Sequence, residues 1–518
     1  MQSATLPFPN LAKKGELLAR PDLVYLIFCA LVFSVPIGFY VVDPFGFETP
    51  HRDTWHHLAV LRELIAHPFN PSNPHIPTEE PSRYFTPLNI LTALLARFFG
   101  VSPFWAFNYM AAVNCIAFCA VCWLFAKRSY QSEYAPIVFL AVMLFGWGIQ
   151  RGHVGFHNFA TFLSSAGYPA TQALILGILS WYICLTALKD QGKIRRNAAL
   201  LAIVCAITIV THQFGGFVML VGTGCFALFH RTAEAKSKMI IVGSLLLGGL
   251  LSLSWPYFNP LAVVISASDP RWITPAPDLQ TIIFPFMLLV PSLIGLAGLR
   301  DKTGGIRWEI LVPLLFFVVS FLVLHAAEAS IAHRFTPAII LYLQLATVWT
   351  LLEFDYGKTN EKTKPLIGLL VCGFIVAGLV KAFDPRIDEF TVREEFGRLM
   401  TFANAMESDL PPGSVTFATE AIVYPLQSSG RRVVSIPRPE PVAPSLIERQ
   451  QATDLFFAKN TTKAERRALI ERWGATHAAF AVADLDPQVV ADLKLLGPSK
   501  SYHRNGEIVS VSIRGAQQ

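Results

Sequence analysis

A carboxylate and two imidazoles lie close together in a polar stretch near the start of the chain. The segment Glu48-Thr-Pro-His-Arg-Asp-Thr-Trp-His-His57 leads into 58–65, where apolar residues recur with helical spacing. Asp53, His56 and His57 are therefore expected in the first turn of a helix. An aspartate beside imidazoles can accept a proton from an attacking hydroxyl, which is general-base catalysis. The alternative is that Asp53 only caps the helix, as aspartate commonly does.

A second candidate lies late in the chain, where Ala332-His333-Arg334-Phe335 precedes an apolar segment that starts at Thr336. A guanidinium binds phosphate through two parallel hydrogen bonds, and the first turn of the following helix adds the positive end of its dipole. Arg334, with His333 beside it, is therefore a candidate anion-binding residue. The alternative is an arginine that only anchors the segment at the lipid headgroups.

Two further histidines are candidates for substrate binding. His157 ends the stretch Arg151-Gly-His153-Val-Gly-Phe-His157, and His212 lies at the end of an apolar segment. Ionisable groups near membrane depth often mark a site or a pathway. For both residues the alternative is a histidine at the membrane interface without such a role.

The elements that must position these residues are apolar helices. Of 518 residues, 53% are hydrophobic and 15% are charged, and the mean hydropathy is +0.46, whereas about 25% of the residues of a soluble domain are charged. Apolar runs of ~17 to 25 residues, long enough to cross a bilayer, recur between Leu23 and Ala382. The sequence predicts a polytopic α-helical membrane protein with about eleven spans: 23–42, 103–126, 135–151, 168–188, 197–212, 214–230, 239–257, 281–299, 308–326, 336–354 and 365–383.

The distribution of lysine and arginine predicts the orientation. With a cytoplasmic N-terminus, the inside loops hold most of the cations between spans, as the positive-inside rule requires. These cations are Lys127, Arg128, Lys189, Lys193, Arg195, Arg196, Arg231, Lys236, Lys238, Arg300, Lys302, Arg307, Lys358, Lys362 and Lys364. Because the cations cluster in these loops, the formal charge of +6 does not indicate binding to nucleic acid. An odd number of spans places the C-terminus outside, so the chain divides into a membrane domain, 1–384, with a first outer loop at 43–102, and an outer domain, 385–518.

Within the first outer loop, the segment 85–101 is apolar but is interrupted by Asn89 and Arg97. A further span here would place Lys127 and Arg128 outside and break the alternation of basic loops. The sequence therefore predicts an amphipathic helix on the outer membrane surface.

The outer domain is predicted to be a small α/β layer domain. Its predicted helices are 389–408, 445–458 and 462–473, and its predicted strands are 414–419, 432–436, 477–482 and 508–513. It contains no phosphate loop, no Gly-x-Gly-x-x-Gly and no nucleophile elbow. We expect this domain to cover the membrane site or to recognise an acceptor rather than to carry out chemistry.

The cysteines and histidines give little sign of a metal centre. All eight cysteines lie within apolar segments, which argues against a disulfide framework or a zinc site. His51, His56 and His57 could ligate a metal or could equally bind substrate. A metal-independent mechanism without a cofactor is preferred.

The order and sidedness of these features resemble the C-type (GT-C) membrane glycosyltransferases, which include protein mannosyltransferases, lipid A aminoarabinose transferases and oligosaccharyltransferase catalytic subunits. In this sequence one span leads to the outer-loop acid and surface helix, Asp53-Thr-Trp-His-His57. A Tyr/Pro-Leu stretch, Tyr84-Phe-Thr-Pro-Leu88, precedes Gly100, and an outward Arg334-Phe335 comes late. The resemblance covers nearly the whole chain, including the small outer domain of many bacterial members.

The resemblance implies roles for the candidate residues. Asp53 would be the base on the acceptor, and Arg334, with His333, would hold the polyprenyl phosphate of the donor. Thr54 follows Asp53, whereas some members have a second acid there. The remaining candidates for substrate binding are Glu48, Arg52, His56, His57, Tyr84, His157 and His212.

The implied function is transfer of a sugar from a polyprenyl-phosphate donor to an acceptor hydroxyl of a glycan, lipid or protein. Transfer would invert the anomeric centre, at the outer face of a bacterial inner membrane. A transporter or flippase of lipid-linked glycans would instead show internal repeats and broken helices at the midplane, and the sequence shows no repeat. A ligase that moves a whole glycan between lipids is a third alternative.

Overall fold

The computed structural model describes residues 20–42, 52–146, 159–266, 306–353, 376, 387–436, 445–502 and 508–513. Up to residue 353 these residues are mostly helical. The helices are α1 (Pro21–Val42), α2 (Arg52–Ala66), α3 (Pro87–Phe99), α4 (Pro103–Ser129), α5 (Ala135–Phe145), α6 (Phe159–Ser164), α7 (Pro169–Lys189), α8 (Ile194–Thr211), α9 (Gln213–Leu228), α10 (Ala235–Leu253), α11 (Pro260–Ser266), α12 (Trp308–Ala326) and α13 (Thr336–Glu353). Short 3-10 helices lie at Gln191–Lys193 and Ser330–Phe335.

The described part of the chain contains six helices that are long and apolar enough to cross a bilayer: α1, α4, α7, α8 with its preceding turn, α10 and α12. Helices α5, α9 and α13 are apolar but shorter. All nine lie where the sequence predicts spans. The predicted spans 281–299 and 365–383 lie outside the described residues, apart from residue 376, so the total of eleven stays a prediction.

The apolar helices approach closely where one of them carries a small residue. A Cβ placed on Gly248 of α10 would lie 2.7 Å from the carbonyl oxygen of Ala202 in α8. Small residues permit such close packing between apolar helices in lipid, where the hydrophobic effect does not drive association. Elsewhere α10 exposes Leu246 and Leu250, as expected of a surface that contacts acyl chains.

Helix α3 confirms the helix predicted within 85–101. The Thr86 hydroxyl accepts a hydrogen bond from the backbone N–H of Asn89 at the start of α3, and the helix ends at Gly100, whose φ of 67° favours glycine. Leu91, Leu95 and Phe98 are exposed at spacings of four and three residues and form one apolar face. The position of this face on a membrane surface stays a prediction.

The segment between α2 and α3 is irregular but extensively hydrogen-bonded. The Asn73 side-chain oxygen accepts from the backbone N–H groups of His75 and Ile76, which forms a tight turn. The indole of Trp255, beyond α10, donates to the Phe85 carbonyl at 2.9 Å. These bonds hold the polar segment in a defined conformation against the helices.

The C-terminal region confirms the predicted small α/β layer domain. Its helices are α14 (Ile387–Asp409), α15 (Glu420–Ser428), α16 (Leu446–Phe457), α17 (Lys463–Trp473) and α18 (Pro487–Lys494). Its strands are β1 (Val415–Ala418), β2 (Arg432–Val433), β3 (His477–Ala481), β4 (Ser499–Tyr502) and β5 (Ile508–Ser512). The sheet order is β2-β1-β3-β5-β4, with β2, β1 and β3 parallel and β5 antiparallel to both of its neighbours.

Three elements of this domain are absent from the sequence prediction. Strand β4 lies at the edge of the sheet, and its residues Ser-Lys-Ser are exposed, so it carries no apolar alternation. Helix α15 is only nine residues long, contains Pro425 and is almost wholly buried. Helix α18 is only eight residues long.

The first outer loop and the C-terminal domain pack as one layer. The backbone N–H of Val433, at the end of β2, donates to the His75 carbonyl at 2.9 Å. The Arg449 guanidinium donates to the Pro77 carbonyl at 2.9 Å. Arg62 of α2 donates to the Ser428 carbonyl at the end of α15, at 2.8 Å. The loop that carries the candidate base is therefore held by the far end of the chain.

Candidate functional site

The N-terminal end of α2 places Asp53 beside the start of a membrane helix. Asp53 lies in the first helical turn, as the sequence predicts, and its side chain is half-buried. The hydroxyl of the next residue, Thr54, lies 2.9 Å from the hydroxyl of Tyr168, which precedes α7. The end of α2 is thereby fixed at the end of the helix bundle where α7 begins, which the sequence predicts to face outward and which is called the outer end below.

His56 and His57 are buried among aromatic rings rather than open to a ligand. The His56 ring stacks on Tyr84 with centroids 6.1 Å apart and meets the edge of Tyr424, in α15, at 5.1 Å. Its Nδ1 lies 3.4 Å from Nδ1 of His75. These contacts join α2, the loop and the C-terminal domain.

The ring of His57 completes this aromatic cluster. It lies 5.3 Å from the ring of Tyr84, 5.9 Å from that of Phe107 in α4 and 5.0 Å from that of Tyr168, measured between centroids. Both histidines thus pack against Tyr84, which the sequence predicts as a substrate-binding residue.

Burial determines the charge of both imidazoles. It lowers the pKa of His57 to about 3, and electrostatic interactions with His75 and Arg83 act in the same direction. The pKa of His56 is lowered well below its usual value, first by burial and then by His75, His57 and Arg83. Both rings are therefore neutral near pH 7 and carry no cation for a phosphate. The carboxylate of Asp53, one turn earlier in the same helix, remains the candidate proton acceptor.

Arg83, immediately before Tyr84, is a cation that the sequence reasoning missed. Its guanidinium donates to the Tyr84 hydroxyl at 3.0 Å and lies 4.9 Å from the centre of that ring. The Asn89 side chain fixes Tyr84 in turn by donating to its carbonyl at 2.9 Å. Arg83 could have been predicted as a site residue, because it directly precedes Tyr84, a predicted substrate-binding residue.

Arg334 lies in the 3-10 turn between α12 and α13, and its side chain is exposed. The adjacent Phe335 is buried, and its ring lies 5.2 Å from the ring of Phe214. The guanidinium is accessible but partly surrounded by protein. Partial desolvation, and then the charge of Arg83, lower the pKa of Arg334. This combination is typical of a side chain that lines a cavity.

Both arginines act electrostatically on the imidazole of His212. Its pKa is lowered to about 4, first by burial and then by the positive charges of Arg334 and Arg83. Its Nδ1 accepts the backbone N–H of Gly215 at 2.9 Å and so caps the start of α9. Arg83, from the first outer loop, and Arg334, from late in the chain, therefore act electrostatically on the same neutral imidazole.

The structure brings some of the predicted residues together and leaves others undescribed. His56, His57 and Tyr84 contact one another, and His212 and Arg334 interact through charge. Glu48 and His157 lie outside the described residues, as do the side chains of Arg52 and His333. His75 was missed because only the tertiary fold brings it against His56.

Among the described residues no group of three His, Cys, Asp or Glu side chains is placed to hold a metal ion. The preference for a metal-independent mechanism stays a prediction. The described cysteines, seven of the eight in the chain, are free, and Cys372 lies outside the described residues.

No family profile and no curated protein sequence matches the chain. Its fold is similar to that of solved membrane transferases. ArnT from Cupriavidus metallidurans bound to undecaprenyl phosphate superposes with a TM-score of 0.57 at 11% identity, over 98% of this chain and 100% of that one. The apo oligosaccharyltransferase of Archaeoglobus fulgidus gives a TM-score of 0.53 at 11% identity, over 98% and 75%.

The arabinofuranosyltransferase AftD from Mycobacteria gives a TM-score of 0.53 at 11% identity and covers 90% of this chain. The present chain spans only 40% of the length of that enzyme. At these identities the likeness is one of fold, and it extends over nearly all of the chain.

Proposed function

The chain has the GT-C fold, and from that premise we propose that it is a membrane glycosyltransferase that takes its sugar from a polyprenyl-phosphate donor. The acceptor is a hydroxyl of a glycan, a lipid or a protein. Similar structures support this choice of donor: ArnT was solved bound to undecaprenyl phosphate, and the Archaeoglobus fulgidus AglB in complex with an inhibitory peptide and a dolichol-phosphate.

The observation that carries the proposal is that Arg83 donates to the Tyr84 hydroxyl, while the Tyr84 ring packs against His56 and His57 of the helix that carries Asp53. Arg83 and Arg334 also act electrostatically on the same His212 imidazole. A departing polyprenyl phosphate gains negative charge, and two guanidinium groups stabilise that charge as it develops. The neutral imidazole of His212 adds no further positive charge, and because its Nδ1 accepts from Gly215, its Nε2–H is left to donate a hydrogen bond.

In the proposed reaction the acceptor hydroxyl attacks the anomeric carbon while Asp53 accepts its proton. A new carbon–oxygen bond forms to the acceptor, and the bond from the anomeric carbon to the phosphate oxygen breaks. The electron pair of that bond leaves with the phosphate, which Arg83 and Arg334 hold. In-line attack of this kind inverts the anomeric centre.

The C-terminal domain is proposed to cover the site and to guide the acceptor. Tyr424 in α15 touches His56 directly, so this domain forms part of the wall behind the candidate base. The proposed division of the chain is therefore 1–384 for the membrane domain and 385–518 for the outer domain, with the two meeting at the first outer loop.

The proposed location is a bacterial inner membrane, with a cytoplasmic N-terminus and the C-terminal domain on the outer side. The support is the distribution of lysine and arginine between spans. The apolar helices of the described part support a multi-pass membrane protein.

The test is an assay of the purified full chain in proteoliposomes against a panel of polyprenyl-phosphate sugars, with release of polyprenyl phosphate and formation of glycosylated acceptor as readouts. We expect the unmodified chain to release polyprenyl phosphate from one donor of the panel. The Asp53→Asn variant, expressed at the normal level, should lose this release. Movement of labelled donor between leaflets without sugar transfer would support a flippase and contradict the proposal. Transfer of whole glycan chains only would indicate a ligase instead.

A further inference from the structure

A polar cavity lies at the end of the helices opposite the candidate site. It has a volume of about 420 Å³ and is lined by the ends of α4, α7, α9, α12 and α13. Helix α7 starts beside Tyr168 in the candidate site and ends at Lys189 in this cavity, while α12 starts in this cavity and leads to Arg334. The orientation predicted from the loops places this inner cavity at the cytoplasmic face.

Five cations and one carboxylate line the inner cavity among the described residues. The cations are Lys127, Arg128, Lys189, Arg231 and Arg307, and the carboxylate is Glu309. Glu309 is already paired, because its Oε1 lies 2.8 Å from Nη1 of Arg307. Lys127 is paired with Asp22 of α1, at 2.8 Å. The lining still holds more cations than carboxylates.

The walls of the cavity hold these cations in place. The Lys189 ammonium donates to the Arg128 carbonyl at 2.7 Å, and the Arg307 guanidinium lies 3.6 Å from the ring centre of Trp349. Lysines and arginines that serve only to orient the protein in the membrane extend into solvent at its cytoplasmic face. The exposed Arg195 and Arg196 of α8 are of this kind. Cations that converge on a cavity instead form a binding site for an anion.

Several buried polar atoms in the lining have no hydrogen-bond partner among the described residues. They are Nε of Arg128, Oγ of Ser129, Nδ1 of His230, Nε of Arg307 and Nε1 of Trp349. Trp349 is only 4% exposed. Its indole N–H, like a guanidinium group, can donate a hydrogen bond but cannot accept one. A ligand rich in acceptor oxygens would satisfy these donors, and buried donors of this kind are normally satisfied.

We propose that this inner cavity binds the phosphate of an anionic membrane-lipid headgroup. A phosphate offers several acceptor oxygens and negative charge, which match the unsatisfied donors and the excess of cations. The volume suffices for a headgroup, since pockets for small ligands begin at about 300 Å³. Apolar side chains, including Phe125, Phe226 and Leu345, line the same cavity and suit the glycerol and acyl portions of a lipid.

Native mass spectrometry of the full chain in mild detergent tests the proposal. The probes are phosphatidylglycerol, a neutral diacylglycerol glycolipid without phosphate, and inorganic phosphate. The test variant is Arg128→Gln/Arg307→Gln. The matched control is Arg195→Gln/Arg196→Gln, which removes the same charge from the same membrane face outside the lining.

We expect one tightly bound phosphatidylglycerol per chain, at least tenfold weaker binding in the test variant, and binding within twofold of the original in the control. The neutral glycolipid should not bind at this site. Equal losses in the two variants would show diffuse attraction to the basic face and overturn the proposal. Binding of inorganic phosphate without binding of the lipid would assign the cavity to a soluble phosphate compound and overturn the lipid as its source.

A second measurement avoids dependence on the folding of the variants. Photoreactive phosphatidylglycerol, added to the unmodified chain, should label the inner ends of α4 and α9, which carry Phe125 and Phe226. Labelling confined to other segments would also contradict the proposal. Neither experiment requires sugar transfer, so the outcome is independent of the proposed function.

Discussion

The two ends of the helix bundle both gather arginines, but they differ in what those arginines face. At the outer end Arg83 and Arg334 lie near neutral imidazoles, and the end of α2 supplies Asp53. The inner cavity is lined by five cations and one carboxylate; the carboxylate is paired with Arg307, and Lys127 is paired with Asp22 of α1. Both ends therefore suit a phosphate, but among the described residues only the outer end combines this with a candidate base. We conclude that charge alone does not identify a transferase site.

The largest expected effect concerns the proposed base. Asp53→Asn should lower the transfer rate by roughly 10²- to 10⁴-fold with little change in donor KM, because the amide keeps the shape but cannot accept a proton. The measurement is kcat and KM with the identified donor. Glu63→Gln is the control, since this carboxylate lies in the same helix and accepts hydrogen bonds from Ser72. Equal losses in both variants would indicate a structural role for Asp53.

The second prediction concerns the outer arginines. Arg334→Gln should raise the donor KM by roughly 10- to 150-fold, since a hydrogen bond to a charged group contributes about 1.5–3 kcal/mol. Arg83→Gln should act similarly, and the double variant should lose less than the combined single effects if both bind one phosphate. The control is Arg467→Gln, an exposed arginine of α17. Unchanged donor KM in both single variants would remove the phosphate role.

The third prediction is a loss of stability in acid that originates at the outer end. Burial lowers the pKa of His57 to about 3 and that of His212 to about 4, whereas an unfolded histidine titrates near 6.5. The unfolded state therefore binds more protons between these values, and stability falls as the pH drops below 6.5. Each histidine should contribute about 2 kcal/mol of destabilisation between pH 7 and pH 5.

This acid sensitivity is measured as the unfolding temperature of the detergent-solubilised protein at each pH. His57→Asn should flatten the dependence on pH even if it lowers stability overall. The control is His67→Asn, because His67 is an exposed residue just after α2. A pH dependence identical in all three proteins would contradict the assigned burial of His57.

The smallest expected effect is at the inner cavity. Arg128→Gln should leave kcat and donor KM within twofold in neutral detergent, because its guanidinium lies at the opposite end of the helices from Asp53. The measurement uses the same assay with no anionic lipid present. A large fall in kcat would mean that the inner cavity and the outer site are coupled, and it would contradict their functional separation.

The membrane helices could be predicted from the sequence because length and apolarity are local properties. The start of α2 was likewise predictable from the helical spacing that follows Asp53. The small domain was predictable in class but not in every element, since β4 is exposed and α15 is buried on nearly all sides.

The site itself was less predictable, because its geometry depends on contacts between distant segments. Nothing near His75 in the sequence indicates that its ring meets His56, or that Tyr424 closes the cluster from the C-terminal domain. The shared action of Arg83 and Arg334 on His212 likewise depends on how the helices pack. The sequence identified three of these residues, His56, His212 and Arg334, but not their relation.

The hydrogen bonds between the first outer loop and the C-terminal domain have a consequence for biogenesis. The Arg432 side chain reaches Ser72 across 360 residues of sequence, and Arg449 reaches Pro77 across 372. At about 5–20 residues per second, synthesis of the intervening chain takes on the order of 20 to 70 s. During that interval the helices are already inserting, while the loop that carries Asp53 still lacks its support. The candidate site therefore acquires its final geometry late, after the C-terminal domain has been synthesised.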